Sequence, residues 1–224
     1  MYFGDIGFIL LIPAIIFSMY AQSKVNSTFN KYLKRQSESG YTGYQVARAI
    51  LDRNGLYDVD IELVKGRLSD HYDPRKRVLR LSREVYQSSS VASVGVAAHE
   101  VGHAIQHSEG YFPLILRNNI APIAGFGARF VWLLVFGGLI LGIGDLVYIG
   151  VFLYLGVVAF QLITLPVEYN ASNRAIEQLN NGIIATADIK STKKVLSAAA
   201  LTYVAATLVG IAQLIRLVLL ANRD

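Results

Sequence analysis

With 224 residues, 53% of them hydrophobic, and a mean hydropathy of +0.40, the chain is too apolar for an ordinary soluble globule. It has no cysteine, which excludes disulfides and thiolate chemistry and leaves imidazole and carboxylate as ligands for any metal. The net charge of +5 does not mark a nucleic-acid surface, because the basic residues are interspersed with Asp and Glu and carry no recognition motif.

Four apolar stretches, residues 6–21, 120–144, 147–165 and 195–221, approach the ~20 residues that cross a hydrocarbon core. The first is the shortest. Asp5 stands where a signal peptide wants positive charge, and no small-x-small cleavage site follows, so this stretch is expected to be a retained anchor. All but three of the 21 lysines and arginines (Arg129, Arg216 and Arg223) fall in two polar loops, 22–118 and 168–194. Four spans put both loops on one side. Lys24, Lys31, Lys34, Arg35, Arg117, Lys190, Lys193 and Lys194, nearest the spans, place that side in the cytoplasm, with both termini and the turn around Asp145 outside.

Within the long loop, Thr42 is placed to cap a helix through Val46, Ala49 and Ile50 to Arg53, with Gly55 supplying the left-handed residue after it. Residues 59–66 alternate apolar and polar side chains (Val59, Ile61, Leu63), as do 77–81, and Asp73-Pro74-Arg75-Lys76 is a turn signal. A small antiparallel sheet of two or three strands is expected. Ser88, Ser89 and Ser90 offer caps for a helix over 91–108.

That helix carries His99-Glu100-Val101-Gly102-His103. Histidines four apart share a helical face and can grip one ion, while Glu100, rotated by about 100°, is placed as general base toward a water that zinc activates. The flanking apolar residues argue against a solvated face, since buried unpaired imidazoles are costly. Three residues compete as third ligand. His107 lies about 12 Å along the axis from His99, too far for one ion to bridge. Glu109 stands where metzincins place a third histidine, but Gln106 replaces the glycine that turns the chain there. Glu168 is the best placed, directly after Pro166 at the end of the third span and on the same side as the histidine helix. Ser172 and Asn173, one turn further, can hydrogen-bond the second nitrogen of a ligating imidazole. Arg174, Tyr169 and His71 are candidates to stabilise an oxyanion. Residues 68–72 or 78–81 could form a sheet edge for an extended peptide. Inside the spans, Arg129 and Arg216 are costly charges, and Gly138 and Gly142 form a small-xxx-small pair for helix packing.

The runs Leu68-Ser69-Asp70-His71-Tyr72-Asp73-Pro74, Leu79-Arg80-Leu81-Ser82, Ala97 through Gln106 around the histidines, and Pro166-Val167-Glu168-Tyr169-Asn170-Ala171-Ser172 together resemble the bacterial neutral zinc metallopeptidases of the YugP type. Nearly the whole chain carries the likeness. It is more distantly similar to the HtpX-like membrane gluzincins, whose third ligand is the Glu of a Glu-x-x-Ala-Asp motif. Glu168 and Ala171 match that motif, but Ser172 stands in place of its Asp. The resemblance implies one zinc ion and peptide hydrolysis.

The resulting expectation is a mainly α integral membrane protein of four transmembrane helices, with a zincin-like catalytic region bearing the small antiparallel sheet. Its segments are an anchor (1–21), the catalytic region (22–118), a transmembrane hairpin (119–166), a third-ligand helix and loop (167–194) and a last span (195–224). The partners expected are the lipid bilayer and peptide or protein chains, membrane-proximal or misfolded. A non-catalytic membrane scaffold or chaperone-like factor with structural zinc is the rival; it has no use for Glu100. A metal transporter is disfavoured, since the spans hold no cluster of His, Asp and Glu.

Overall fold

The structure is a computed structural model and describes residues 6–222, so Asp5 and Arg223 lie outside the described residues. In chain order come α1 (Ile6–Leu33), α2 (Gly43–Arg53), β1 (Asp60–Val64), β2 (His71–Asp73), β3 (Val78–Ser82), α3 (Arg83–Gln87), α4 (Val91–Ser108), α5 (Phe112–Leu141), α6 (Gly144–Asn180) and α7 (Thr186–Ala221). The fold is mainly helical with one small sheet. Among the described residues four helices, α1, α5, α6 and α7, are long and apolar enough to cross a membrane. The chain divides into two compact units.

One unit holds the described residues of Met1–Gln22 and Leu201–Asp224, with Phe112–Pro166. Its large side chains point outward: Ile140 is 83% exposed and Phe152 72%, an arrangement that water penalises and a hydrocarbon solvent does not. Its interior contacts are small, with Val131, Val135 and Leu217 in one cluster and Leu11, Ala14 and Ala212 in another. Gly138 lets α5 and α6 approach, since a Cβ there would meet Val147 Cγ2 at 2.7 Å. Gly142 does not share that packing role. Its φ of +68° turns the chain out of α5, and a Cβ there would meet nothing. Arg216 lies against Gly7 and over the Phe8 ring, 5.7 Å from its centroid, whereas Arg129 is exposed.

The other unit comprises Ser23–Tyr111 and Val167–Ala200 and contains the larger core. Thr42 accepts a hydrogen bond from Gln45 N while the Gln45 side chain accepts from Thr42 N, a reciprocal cap that starts α2. Gly55 follows at φ +71°. The buried face of α2 is Val46, Ala47, Ile50 and Leu51, and Ala49 is exposed. Ser90 caps α4, accepting from Ser93 N, and almost every residue from Val91 to Ala98 is buried.

The sheet departs from expectation. Its order is β1-β3-β2, and while β2 pairs antiparallel with β3, β1 pairs parallel to it. Sequence alternation identifies strands but not their order. The Asp73 turn, with Asp73 Oδ1 accepting from Arg75 N and Lys76 N, joins β2 and β3 as a hairpin. The more apolar β3, with Val78, Leu79, Leu81 and Ser82 buried, takes the centre, leaving the polar β1 and β2 as edges. From β3, Arg80 reaches Glu62 on one side and Asp73 on the other, each at 3.0 Å. Both flanks of β3 are occupied, so residues 78–81 cannot be a free edge.

The start of α7 is tied to the segment after α1 by Asp188, which is fully buried and accepts from Arg35, Ser37 Oγ and Glu38 N. Because Arg35 is half exposed, its charge is screened, and the neutral donors left unpaired set the cost of losing Asp188. Asp188→Ala is expected to destabilise this unit by about 1–3 kcal/mol. Thermal unfolding in detergent, with proteolysis between residues 34 and 42 as a second readout, checks it.

Candidate metal centre

Two helices of the larger unit bring the donors together. On α4, His99 and His103 project from one face with ring centroids 4.8 Å apart and planes at 84°. On α6, Glu168 faces them: its Oε2 lies 3.2 Å from His99 Nε2 and 3.6 Å from His103 Nε2. Ligands about 2 Å from one tetrahedral ion sit roughly 3.3 Å from each other, so these spacings suit a single zinc. The three donor atoms lie within 4.8 Å of one another, and among the described residues this is the one His/Asp/Glu group so arranged. Side-chain exposure is 14% for His99, 12% for His103 and 5% for Glu168, enough for one open side and little more.

What permits this approach is Gly102, between the histidines. A Cβ there would stand 2.5 Å from Ala171 O, a backbone atom that cannot swing aside. Gly95, two turns earlier, makes similar room for Thr192 of α7. The far nitrogen of each imidazole is partnered, His99 Nδ1 by Ser172 Oγ at 3.1 Å and His103 Nδ1 by Gln106 Oε1 at 3.0 Å. Such partners hold ring orientation and leave the near nitrogens directed at the centre. Two imidazoles and one carboxylate, neutral partners behind the rings, and a glycine-permitted helix approach fit zinc.

Burial pushes the Glu100 carboxyl up to about 8; the His99 side chain opposes this, the negative charges of Glu168 and Asp70 add to it, and a hydrogen bond from the Tyr72 main chain opposes it. Glu100 thus lies beside the donor cluster, with β2 next to it. Asp70, also raised by burial, accepts from Ser82 N and Oγ and so braces the strand ends. Tyr72 OH and His107 Nδ1 are 2.9 Å apart, joining β2 to α4.

The structure brings His99, Glu100, His103, Glu168 and Ser172 together. Other candidates are engaged elsewhere. Asn173 and Tyr169 are exposed. Arg174 pairs with Glu109 at 2.7 Å and donates to Asn170, so Glu109 stands apart from the donor cluster. His71 is exposed and bonded to Ser69 O, and His107 is bonded to Tyr72. Sequence reasoning missed Gln106 and Asn170. The available signal was an amide three residues after His103 on an apolar face, which burial makes costly unless it has a partner.

Gly102→Ala is expected to push α6 from α4 and weaken zinc binding at least about tenfold, read by competition with a chelating dye; unchanged affinity would show that the helices yield. A second expectation concerns pH. In the metal-free protein Glu100 binds its proton more tightly folded (about 8) than at the ordinary carboxyl value of 4.5, so its contribution to stability is full below 4.5 and disappears as pH rises through about 8. Between pH 5 and 9 the unfolding temperature of chelator-stripped wild type should therefore fall relative to Glu100→Gln.

The profile of the family described as "Putative neutral zinc metallopeptidase" matches residues 7–222. A protein of Bacillus subtilis (strain 168), "Putative membrane protease YugP", is 50% identical over 212 residues, which are 94% of this chain and 94% of that one. No solved structure matches the chain.

Proposed function

The chain belongs to the neutral zinc metallopeptidase family, and from that premise we propose that it is a membrane-embedded, zinc-dependent endopeptidase of gluzincin type, with an HExxH helix in a zincin-like region. The observation that carries the reading is the convergence of His99, His103 and Glu168 from two helices, with the Glu100 carboxyl beside them.

His99 and His103, through their Nε2 atoms, and Glu168, through its carboxylate, would hold one zinc ion. When bound, zinc supplies a Lewis acid that acidifies water and polarises the scissile carbonyl. Glu100 moves the proton. Its carboxylate takes one from the attacking water as that oxygen bonds to the carbonyl carbon, then gives it to the amide nitrogen as the C–N bond breaks. A carboxyl whose proton affinity is raised toward neutrality serves both transfers.

Substrate would lie along β2. Among the described residues that strand pairs only with β3, so its other side could offer main-chain groups to an extended peptide, and the Tyr72 main chain sets Glu100 beside the strand. In the sequence Glu168 follows the apolar run of α6 by two residues past Pro166, a position suited to membrane-proximal or misfolded chains. The loop charges favour a site facing the cytoplasm, and a role in membrane-protein quality control is the physiological setting we propose for such a site.

The test is to purify wild type and Glu100→Gln in detergent, measure zinc in both, and assay cleavage of unfolded and membrane-protein substrates. Equal zinc with activity reduced by about 10²–10⁴-fold in the variant is expected. Zinc-loaded wild type that cleaves nothing across a broad peptide library would favour the structural scaffold. Glu168→Ala should lose zinc where His107→Ala and Glu109→Ala keep it.

A further inference from the structure

Gln106 is fully buried on α4, and a buried amide is tolerated only when its polar atoms are paired. Its Nε2 donates to Val167 O at 2.8 Å and to Asn170 Oδ1 at 2.9 Å, and its Oε1 faces His103 Nδ1 at 3.0 Å. The amide cannot be reversed. A main-chain carbonyl only accepts, so the nitrogen of Gln106 must face Val167. Asn170 is oriented in the same way, because Arg174 Nε only donates and lies 2.7 Å from Asn170 Oδ1. Arg174 is itself held by Glu109 at 2.7 Å and lies over the Tyr111 ring, 6.0 Å from its centroid.

This chain of one-way bonds ends on His103. With its nitrogen committed to two acceptors, Gln106 presents only an accepting oxygen, so His103 Nδ1 carries a proton and donates it. The neutral ring then has its lone pair on Nε2, because Gln106 Oε1 is within hydrogen-bond distance of Nδ1 at 3.0 Å whereas the Glu168 oxygen that faces Nε2 is beyond it at 3.6 Å. His99 differs: its Nδ1 meets the Ser172 hydroxyl, which can donate or accept, and its Nε2 stands 3.2 Å from a Glu168 oxygen, which only accepts, so no comparable one-way bond commits its Nδ1.

We infer that Gln106 is a positioning residue that presets the His103 tautomer for metal, with Asn170 and Arg174 holding Gln106 in the required orientation. The inference rests on the zinc reading above. Arg174 thereby has a task at the far end of this chain rather than at an oxyanion. Because the partner of His103 is a neutral amide, Glu168 remains the one anionic ligand, and the proton stays on Nδ1 before metal arrives.

The test uses the full-length chain in nanodiscs, labelled with 15N-histidine and stripped of metal, with the ring tautomers read by long-range 1H–15N correlation and His103 assigned from the signal lost in His103→Asn. The neutral His103 ring in wild type is expected as the Nδ1–H form. In Gln106→Leu that form is expected to give way to a mixture or to Nε2–H, with zinc affinity about 10–100-fold weaker. Asn170→Leu, which touches neither histidine, should shift tautomer and affinity the same way by less. A wild-type ring in the Nε2–H form overturns the inference, as does a folded Gln106→Leu that keeps Nδ1–H and binds zinc within twofold of wild type. Should that variant fail to fold, the wild-type tautomer still decides. A wild type that binds no zinc defeats the zinc reading instead, because the tautomer is read on metal-free protein.

Discussion

The approach of α4 to α6 at Gly102 is the constraint on which the site depends. Ala171 O sits where any side chain at 102 would begin, and that closeness lets a carboxylate on one helix stand between two imidazoles on the other. Either helix alone offers an incomplete donor set. In the proposed centre His99 and His103 on α4 would provide two imidazole ligands, and Glu168 on α6 the charge that offsets a divalent cation. The arrangement is then locked from behind, by Ser172 against His99 and by Gln106 against His103.

Around this pair of helices the larger unit separates rigid support from the edge left open. The apolar first half of α4 is almost wholly buried against α2, α3 and α7, so the histidines extend from a helix with little freedom to tilt. On the other side β2 has, among the described residues, a strand partner on one flank alone and is tied down by Tyr72 and by Asp70. Glu100 lies where the two meet. Burial and the neighbouring carboxylates raise its proton affinity, which suits the proton-transfer role proposed for it.

Local signals made much of this legible in the sequence. The Thr42 box, Gly55 and the Ser90 cap each act within a few residues, and the structure starts α2 and α4 and ends α2 where those signals fall. The position of Glu168 could be reasoned from span counting, because an apolar hairpin returns the chain to the side it left. Non-local features were not legible. The parallel pairing of β1 depends on β3 inserting between strands already passed, and alternation within each strand is the same for either order. Gly142 shares its spacing from Gly138 with packing motifs, but a positive φ gives it a turn instead. Gln106 was visible only as a missing glycine, since its role comes from Val167, Asn170 and Arg174, more than 60 residues away in sequence.

The central claim is that one zinc ion is held by two imidazoles and one carboxylate from α4 and α6. X-ray absorption at the zinc edge on the purified, detergent-solubilised chain reads that shell directly, since imidazole rings scatter with a pattern that carboxylate and water oxygens lack. The account predicts one zinc per chain, two imidazole ligands and the remaining shell of oxygen. A shell with three imidazoles, which would enlist His107 or His71, or a chain that retains no zinc, would contradict it.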